Sequence, residues 1–126
     1  MTTVVTKRYA KQRTNIRQQQ VGTPLATFGQ TIAEGRKALG LRQRELAARV
    51  IKKDGQPISP QYLNDLEKDR RNPPSDHLMQ QFASALGIDP DILFLCAGSF
   101  PPDIRSADVP PDQAVEAFKA FRRKIQ

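Results

Sequence analysis

Helix start and stop signals recur at short intervals along this chain, and they limit it to short helices. Thr27, with Gln30 three residues later, has the pattern of a capping box. Ser59 precedes Pro60, so a cap residue is followed by proline at the first helical position. Six helices are predicted, and they begin at or next to Thr27, Gln43, Ser59, Ser75, Asp89 and Pro111. Because strand periodicity and internal repeats are absent from the sequence, we expect an all-α fold.

The chain divides into three parts by composition. Residues 1–24 contain five bases and no acid, with few apolar residues, and are expected to form a flexible basic arm. Residues 25–98 contain the first five helices and are predicted to form one domain. Residues 99–126 are predicted to be a Pro-rich linker and an amphipathic C-terminal helix. The apolar stripe of that helix consists of Val115, Phe118, Phe121 and Ile125.

Positive charge is concentrated in the N-terminal part of the chain. Lys and Arg number 20 and Asp and Glu number 13, for a net charge of +7. Residues 1–74 contain 15 of the bases and 6 of the acids. Such asymmetry favours a polyanion-binding face and a separate face for another role. The alternative is that the charge only keeps the protein soluble.

Several functional classes are disfavoured by what the sequence lacks. The longest apolar run, residues 92–97, is far shorter than the ~20 residues of a membrane span, and the first residues lack the apolar core of a signal peptide. A single cysteine, Cys96, predicts a reducing, cytoplasmic setting. With one histidine, one cysteine and no Gly-rich phosphate loop, we expect no metal, no cofactor, no membrane association and no enzymatic activity.

The segment from Gln43 to Leu66 has the layout of a helix-turn-helix, with two short helices and a polar turn between them. Its second helix exposes side chains of a kind that can reach base edges in a groove ~12 Å wide. These are Gln61, Asn64 and Asp65. Bases at the exit of that helix can neutralise phosphates. They are Lys68, Arg70 and Arg71. At the start of the first helix, Gln43 can hold a phosphate through backbone N–H groups and its amide.

Four sequence blocks together resemble the XRE family, the lambda-repressor/Cro type of helix-turn-helix. The blocks are Arg36-Lys-Ala-Leu-Gly-Leu41, Gln43-Arg-Glu-Leu-Ala47, Ser59-Pro-Gln-Tyr-Leu-Asn-Asp-Leu-Glu67 and Arg70-Arg-Asn-Pro73. The likeness covers about residues 27–98 and implies a five-helix lambda-repressor-like DNA-binding domain. It also implies that Gln43 binds a backbone phosphate. It further implies a buried ion pair between Arg36 and Glu67, which links the first and third helices.

The resemblance also implies which residues lie in or beside the major groove. With Asn64 from the reasoning above, the predicted base-contacting set is Ser59, Pro60, Gln61, Tyr62, Asn64 and Asp65. The predicted phosphate-contacting set is Gln43, Arg44, Lys52, Lys53, Lys68, Arg70, Arg71 and Asn72.

Two features depart from the family pattern. Arg42 occupies the place where the family usually has a Ser or Thr cap. The turn between the two helices is roughly six residues longer than the usual 3–4 residues, and it contains Gly55 and Pro57. Lys52 and Lys53 lie in this longer turn, which is why they enter the phosphate set.

Each singled-out residue also has a plainer interpretation. Gln61 and Asn64 are also explained as solvated helix residues. Asp65 either accepts from cytosine N4 or pairs with Lys68 or Arg49. Tyr62 either stacks in the core or lies on the sugar-phosphate. His77 is predicted to be a surface residue and Cys96 a core or interface residue.

The basic arm has two alternative roles. It either wraps DNA or enters the minor groove, or it remains a solvated tail.

The fifth helix has too many apolar residues for one buried face, which predicts a homodimer contact. The predicted dimer interface consists of Ile92, Leu93, Leu95 and Cys96. The C-terminal helix either extends that dimer or packs back on the body.

The expected function is that of a sequence-specific regulator of double-stranded DNA, a dimeric repressor on an inverted-repeat operator. The alternative is a protein-interaction module, an antitoxin-like or partner-controlled regulator with a protein partner at the C-terminal helix.

Overall fold

The computed structural model describes residues 25–126 of the 126-residue chain. The basic arm predicted for residues 1–24 therefore lies outside the described residues. Within residues 25–126 the secondary structure is helical, with a single antiparallel bridge and no strand. The helices are α1 (Phe28–Ala38), α2 (Gln43–Arg49), α3 (Pro60–Glu67), α4 (Asp76–Leu86), α5 (Pro90–Cys96), α6 (Pro102–Arg105) and α7 (Pro111–Ile125). The predicted all-α class is confirmed.

Helices α1 to α5 surround one core. The largest buried side chains include Phe82 of α4, whose ring meets Phe28 of α1 edge-on at a centroid distance of 6.1 Å. The buried apolar residues of these helices and their connections are Phe28, Ile32, Leu46, Ala47, Val50, Ile58, Leu63, Leu66, Met79, Phe82, Ala83, Leu86, Ile88, Leu93 and Phe94. Each helix thus buries the apolar stripe of its own sequence, and α3 is held between α1 and α2.

The predicted helix starts are formed by local capping bonds. The Thr27 hydroxyl accepts a hydrogen bond from the Gln30 N–H at 3.0 Å, and the Gln30 side-chain oxygen accepts one from the Thr27 N–H at 3.0 Å. Ser59 caps α3 in the same way by accepting from the Tyr62 N–H at 3.0 Å. These bonds satisfy N–H groups that have no partner inside the helix.

Two boundaries differ from the sequence prediction. The second helix ends at Arg49 instead of Ile51, because Val50 has extended backbone and Ile51 pairs with Pro57 in the antiparallel bridge. The predicted linker contains a short helix, α6, which begins at Pro102. Proline in a first helical turn has a φ already suited to a helix, so Pro102 favours a helix start within the predicted linker.

The C-terminal helices lie on the outside of the body. Arg105 of α6 forms an ion pair with Asp76 of α4, and the Phe100 ring stacks on Phe118 of α7 at 5.8 Å. No residue of α7 is buried. Over residues 25–126, no helix combines the length and the apolar character that a membrane span needs.

Candidate nucleic-acid interface

The N-terminal half of α3 presents polar groups to solvent while its other side packs in the core. Ser59, Pro60 and Gln61 are exposed, whereas Leu63 and Leu66 are fully buried. The buried leucines fix the rotation of the helix about its axis, so the exposed face is constant. A helix with an exposed polar N-terminal end is the geometry with which a recognition helix enters a major groove.

A buried polar network joins α1, α2 and α3. Arg36 donates from Nε to Glu67 Oε2 at 2.7 Å and from Nη2 to Glu67 Oε1 at 2.9 Å. The side chains of Arg36 and Glu67 are only 13% and 6% exposed. Arg36 also donates to the Leu41 carbonyl at 2.9 Å. The ion pair expected from the resemblance is therefore present, with the bidentate geometry that makes guanidinium–carboxylate pairs strong.

Gln43 belongs to this network. Its amide nitrogen donates to Asn64 Oδ1 at 3.1 Å and to Glu67 Oε1 at 3.0 Å. Both amide hydrogens are thus used inside the protein, and in this arrangement none is left for a phosphate. The structure therefore gives the Gln43 side chain a positioning role between α2 and α3. It turns Asn64, predicted to contact bases, toward α2.

The C-terminal end of α3 is attached to the start of α1 through Asp69. This residue has a positive φ of 57°, a conformation that Asp adopts more readily than most side chains. Its carboxylate accepts the Gly29 N–H at 3.0 Å and the Thr27 hydroxyl. A Cβ on Gly29 would lie 2.4 Å from the Leu66 carbonyl oxygen, so glycine is needed for this close approach. No local pattern in the sequence predicts this role for Asp69, because its partners lie about 40 residues away.

The long turn before α3 is a small hairpin with a buried base. The Ile58 N–H donates to the Val50 carbonyl at 2.9 Å, and the Lys52 N–H donates to the Gln56 carbonyl at 2.7 Å. Val50 and Ile58 are both buried in the core. Residues 52–57 are exposed, while these hydrogen bonds hold the two ends of the turn together. Gly55, with φ of 89°, closes the tip.

Two side chains of α4 bind both backbone groups of Ile51 at the hairpin base. The Ile51 N–H donates to Gln81 Oε1 at 3.1 Å, and His77 Nε2 donates to the Ile51 carbonyl at 2.8 Å. We call Gln81 and His77 the clasp. The prediction that His77 is a surface residue is wrong, because its ring is half-buried and holds the turn. His77 and Gln81 are one helical turn apart, and this spacing in the sequence predicts that they share one face of α4.

Bases at the exit of α3 surround Asp65. The Asp65 carboxylate lies 3.6 Å from Arg70 Nη1 and 3.9 Å from Arg71 Nε. It also accepts from Gln61 Nε2 at 3.1 Å. The expected partners, Lys68 and Arg49, are therefore replaced by Arg70 and Arg71.

Of the two alternatives for Tyr62, packing against the core is the one present in the structure. Its half-buried ring packs against the core, and the Arg71 guanidinium lies 5.2 Å from the ring centroid.

The remaining predicted phosphate residues are exposed. Lys52 lies 3.9 Å from Asp54. Within the part of the chain that the structure describes, Arg44, Lys53 and Lys68 have no ion-pair partner. Asn72 is exposed in the loop after α3. Near the start of α2, the hydrogen bond from the Arg42 N–H and the nearby arginines lower the pKa of Glu45. The structure therefore leaves cations available around α2, the hairpin and the end of α3.

The predicted dimer residues fall into two groups. Leu93 is completely buried in the core of the single chain, so the prediction that it lies in a dimer interface is wrong. The short helix α5 is apolar on all sides, and periodicity did not show which side faces its own core. Leu95 is 45% exposed, and Ile92 and Cys96 are half-buried. Cys96 Sγ lies 3.3 Å from the Thr31 hydroxyl, which donates to it.

Comparison with known families agrees with this geometry. Residues 32–93, just under half of the chain, match the family model described as Helix-turn-helix. This match supports the resemblance of residues 32–93 to the XRE family of helix-turn-helix proteins. The matched residues include α2, the hairpin and α3, and they end within α5. The match supports a DNA-binding regulator. Searches of the curated proteins and of the solved structures found no match.

Proposed function

We propose that this protein is a sequence-specific transcriptional repressor that binds double-stranded DNA as a homodimer. The observation that carries the proposal is the three-point support of α3. The hairpin base supports its start, the Arg36–Glu67–Gln43 network its middle and Asp69 its end. Base readout needs a helix whose orientation is fixed before DNA arrives, since misplaced side chains miss their base edges.

Gln61 is the residue best suited to read a base. It is exposed near the start of α3, and its amide can donate and accept toward an adenine edge. Its bond to Asp65 Oδ1 limits how the amide turns. Ser59, Pro60 and Tyr62 would lie beside it in the groove. Asn64 and Asp65 act through their contacts with Gln43, Arg70 and Arg71.

The phosphate contacts would come from exposed bases that surround α3. Arg44, Lys53 and Lys68 are charged groups without an ion pair among the described residues. Lys52, Arg70, Arg71 and Asn72 complete the proposed set. Two copies related by a two-fold axis would place two α3 helices in major grooves ~34 Å apart, or a multiple of that distance, on an inverted repeat. Repression would follow because the bound dimer blocks access by polymerase.

A binding titration on a selected duplex and on a random duplex tests this function. Gln61→Ala should weaken binding to the selected duplex by ~1–3 kcal/mol and relax discrimination at one base pair. Arg44→Gln should weaken both duplexes alike and reduce the slope of log affinity against log salt by about one unit per lost contact. Lys37→Gln, at an exposed base in the last turn of α1 that is outside the proposed phosphate set, is the matched control for loss of one positive charge and should leave both affinities unchanged.

Two outcomes would contradict the proposal. If Gln61→Ala weakened both duplexes equally, α3 would not read bases. If the unaltered protein bound no duplex in a salt-dependent manner, the protein-interaction function would replace DNA recognition. That second candidate is favoured by one observation, the exposed apolar face of α7 in residues 99–126, which could hold a partner protein.

A further inference from the structure

The Arg36–Glu67–Gln43 network has a fixed hydrogen-bond direction, and that direction extends to Asn64. Arg36 donates to both oxygens of the Glu67 carboxylate, so Glu67 is an acceptor. The Gln43 group that lies 3.0 Å from Glu67 Oε1 must therefore be its NH2 group. The same NH2 group lies 3.1 Å from Asn64, so the Asn64 atom at that contact must be its oxygen. The buried ion pair thus determines which end of the Asn64 amide faces α2.

The amide nitrogen of Asn64 is the group that this arrangement leaves for a ligand. Among residues 25–126, Asn64 Nδ2 has no hydrogen-bond acceptor, whereas every buried side-chain nitrogen and oxygen of those residues has a partner. Nδ2 therefore reaches solvent, although the residue as a whole is half-buried. Asn64 follows Gln61 by three residues, so the two side chains are neighbours on one face of α3.

An asparagine held in this way reads a different base from a free one. A free asparagine pairs with adenine by accepting from N6 and donating to N7. The Asn64 oxygen is occupied by Gln43, and its NH2 group would meet the adenine N6 amine as donor against donor. Guanine presents two acceptors, N7 and O6, in the major groove. Cytosine presents an amine donor there, and thymine presents one acceptor beside a methyl group. Guanine therefore matches the NH2 group best.

We infer that Asn64 is a specificity-determining residue that reads guanine through its amide nitrogen, and that Gln43 imposes this choice. The inference rests on the proposed function, since it names the base that one position of α3 selects. Gln43 is a positioning residue in this role, because it acts through Asn64 and contacts no base itself. The buried ion pair then serves recognition as well as stability, since Glu67 orients the Gln43 amide.

NMR measurement of side-chain amide hydrogen exchange in the full-length protein tests the direction without DNA. The NH2 hydrogens of Gln43 should exchange at least about fivefold more slowly than those of the exposed Gln80, because both Gln43 hydrogens are bonded. The NH2 hydrogens of Asn64 should exchange within about threefold of those of the exposed Asn72, since they have no acceptor. A protected Asn64 amide or an unprotected Gln43 amide would mean that the direction is wrong.

Titration of duplexes that carry each of the four base pairs at each position of the selected site tests the base. The unaltered protein should prefer guanine at one position by about 5- to 100-fold, and Asn64→Ala should remove the preference at that position alone. Gln43→Met removes the donor that holds the Asn64 oxygen, so Asn64 can turn and pair with adenine. The guanine-to-adenine affinity ratio at that position should then fall at least about tenfold. Gln80→Met makes the same exchange on α4 and should leave the ratio unchanged.

The double variant of Gln43→Met with Asn64→Ala separates positioning from general support of the fold. If Gln43 acts through Asn64, the double variant should keep the guanine-to-adenine ratio of Asn64→Ala alone, within about twofold. If Gln43 only supports the fold, its loss should weaken all duplexes alike, whether or not Asn64 is present. Circular dichroism identifies variants that remain folded. Should Gln43→Met not fold, Asn64→Ala and the amide exchange of the unaltered protein still decide the inference.

The inference is overturned if the position that depends on Asn64 selects a base other than guanine, or if Asn64→Ala changes discrimination at no position. It is also overturned if folded Gln43→Met keeps the guanine-to-adenine ratio of the unaltered protein. Failure of the proposed function has a different signature, in which the amide exchange is as expected but no duplex is bound in a salt-dependent manner. A protein that reads a selected duplex without any contribution from Asn64 refutes only the present inference.

Discussion

The body formed by α1 to α5 and the C-terminal segment formed by α6 and α7 use similar sequence signals with opposite results. Both contain helices that start with proline at the first position and have an apolar stripe. In α3 the stripe residues Leu63 and Leu66 are fully buried, whereas Phe118 and Phe121 of α7 are exposed. Periodicity therefore predicts which residues share a face, and the surroundings decide what covers that face.

Ion pairs in the two regions differ in the same way. Arg36 and Glu67 form two short bonds and are almost fully removed from water. Lys119 and Glu116 are 3.5 Å apart on the surface of α7, and the glutamate side chain is 69% exposed. Breaking a buried pair leaves a charge without solvent, while breaking an exposed pair returns both charges to water.

The largest expected effect comes from removing the buried acid. Glu67→Ala leaves Arg36 charged inside the body and removes an acceptor of Gln43, and should lower the free energy of unfolding by ~3–5 kcal/mol. Glu116→Ala, the matched variant on α7, should change it by less than about 0.5 kcal/mol. Urea denaturation followed by circular dichroism measures both. Equal effects for the two variants would break the distinction between body and segment.

A smaller effect is expected at Asp69. Asp69→Ala removes the acceptor of the Gly29 N–H and the Thr27 hydroxyl and places alanine at a positive φ, which should cost ~1–3 kcal/mol. Asp69→Asn keeps an acceptor and tolerates the backbone conformation, so it should lower the free energy of unfolding by an intermediate amount. Asp108→Ala, an exposed acid between α6 and α7, serves as control. An unchanged denaturation midpoint for Asp69→Ala would show that the two helix ends are not coupled there.

The smallest effect on stability is expected at the clasp, where it sharpens the comparison within the body. Gln81→Ala removes one hydrogen bond to Ile51 and should cost about 1 kcal/mol. The hairpin base sets the start of α3. The ratio of selected-duplex to random-duplex affinity should therefore fall more in Gln81→Ala than in Gln80→Ala. Gln80 is the exposed neighbouring glutamine on α4. If both glutamine variants kept the same ratio, the clasp would support only the fold.

Sequence reasoning succeeded where the chemistry is local. The caps at Thr27 and Ser59 are visible because donor and acceptor are three residues apart. The α3 stripe of Leu63 and Leu66 follows from helical spacing. The Arg36–Glu67 pair spans 31 residues and came from the family resemblance, since no local rule joins such positions.

The features that could not be predicted from the sequence depend on contacts between distant segments. The inward turn of the Gln43 amide requires α3 to lie beside α2. The burial of Leu93 next to the exposed Leu95 depends on how the short helix α5 sits on the core. The left-handed backbone of Asp69 depends on the approach of α1 to the end of α3. None of these is encoded in a window of neighbouring residues.

The hairpin before α3 separates two tasks that a tight turn would combine. Its base, at Val50 and Ile58, determines the path of the chain, while its tip around Gly55 lies in open space, with no atom near the position of an added Cβ. Lengthening, shortening or rewriting residues 53–55 therefore leaves the geometry of α3 intact. The tip is therefore a suitable insertion point, where a peptide epitope can be grafted while α3 keeps its orientation.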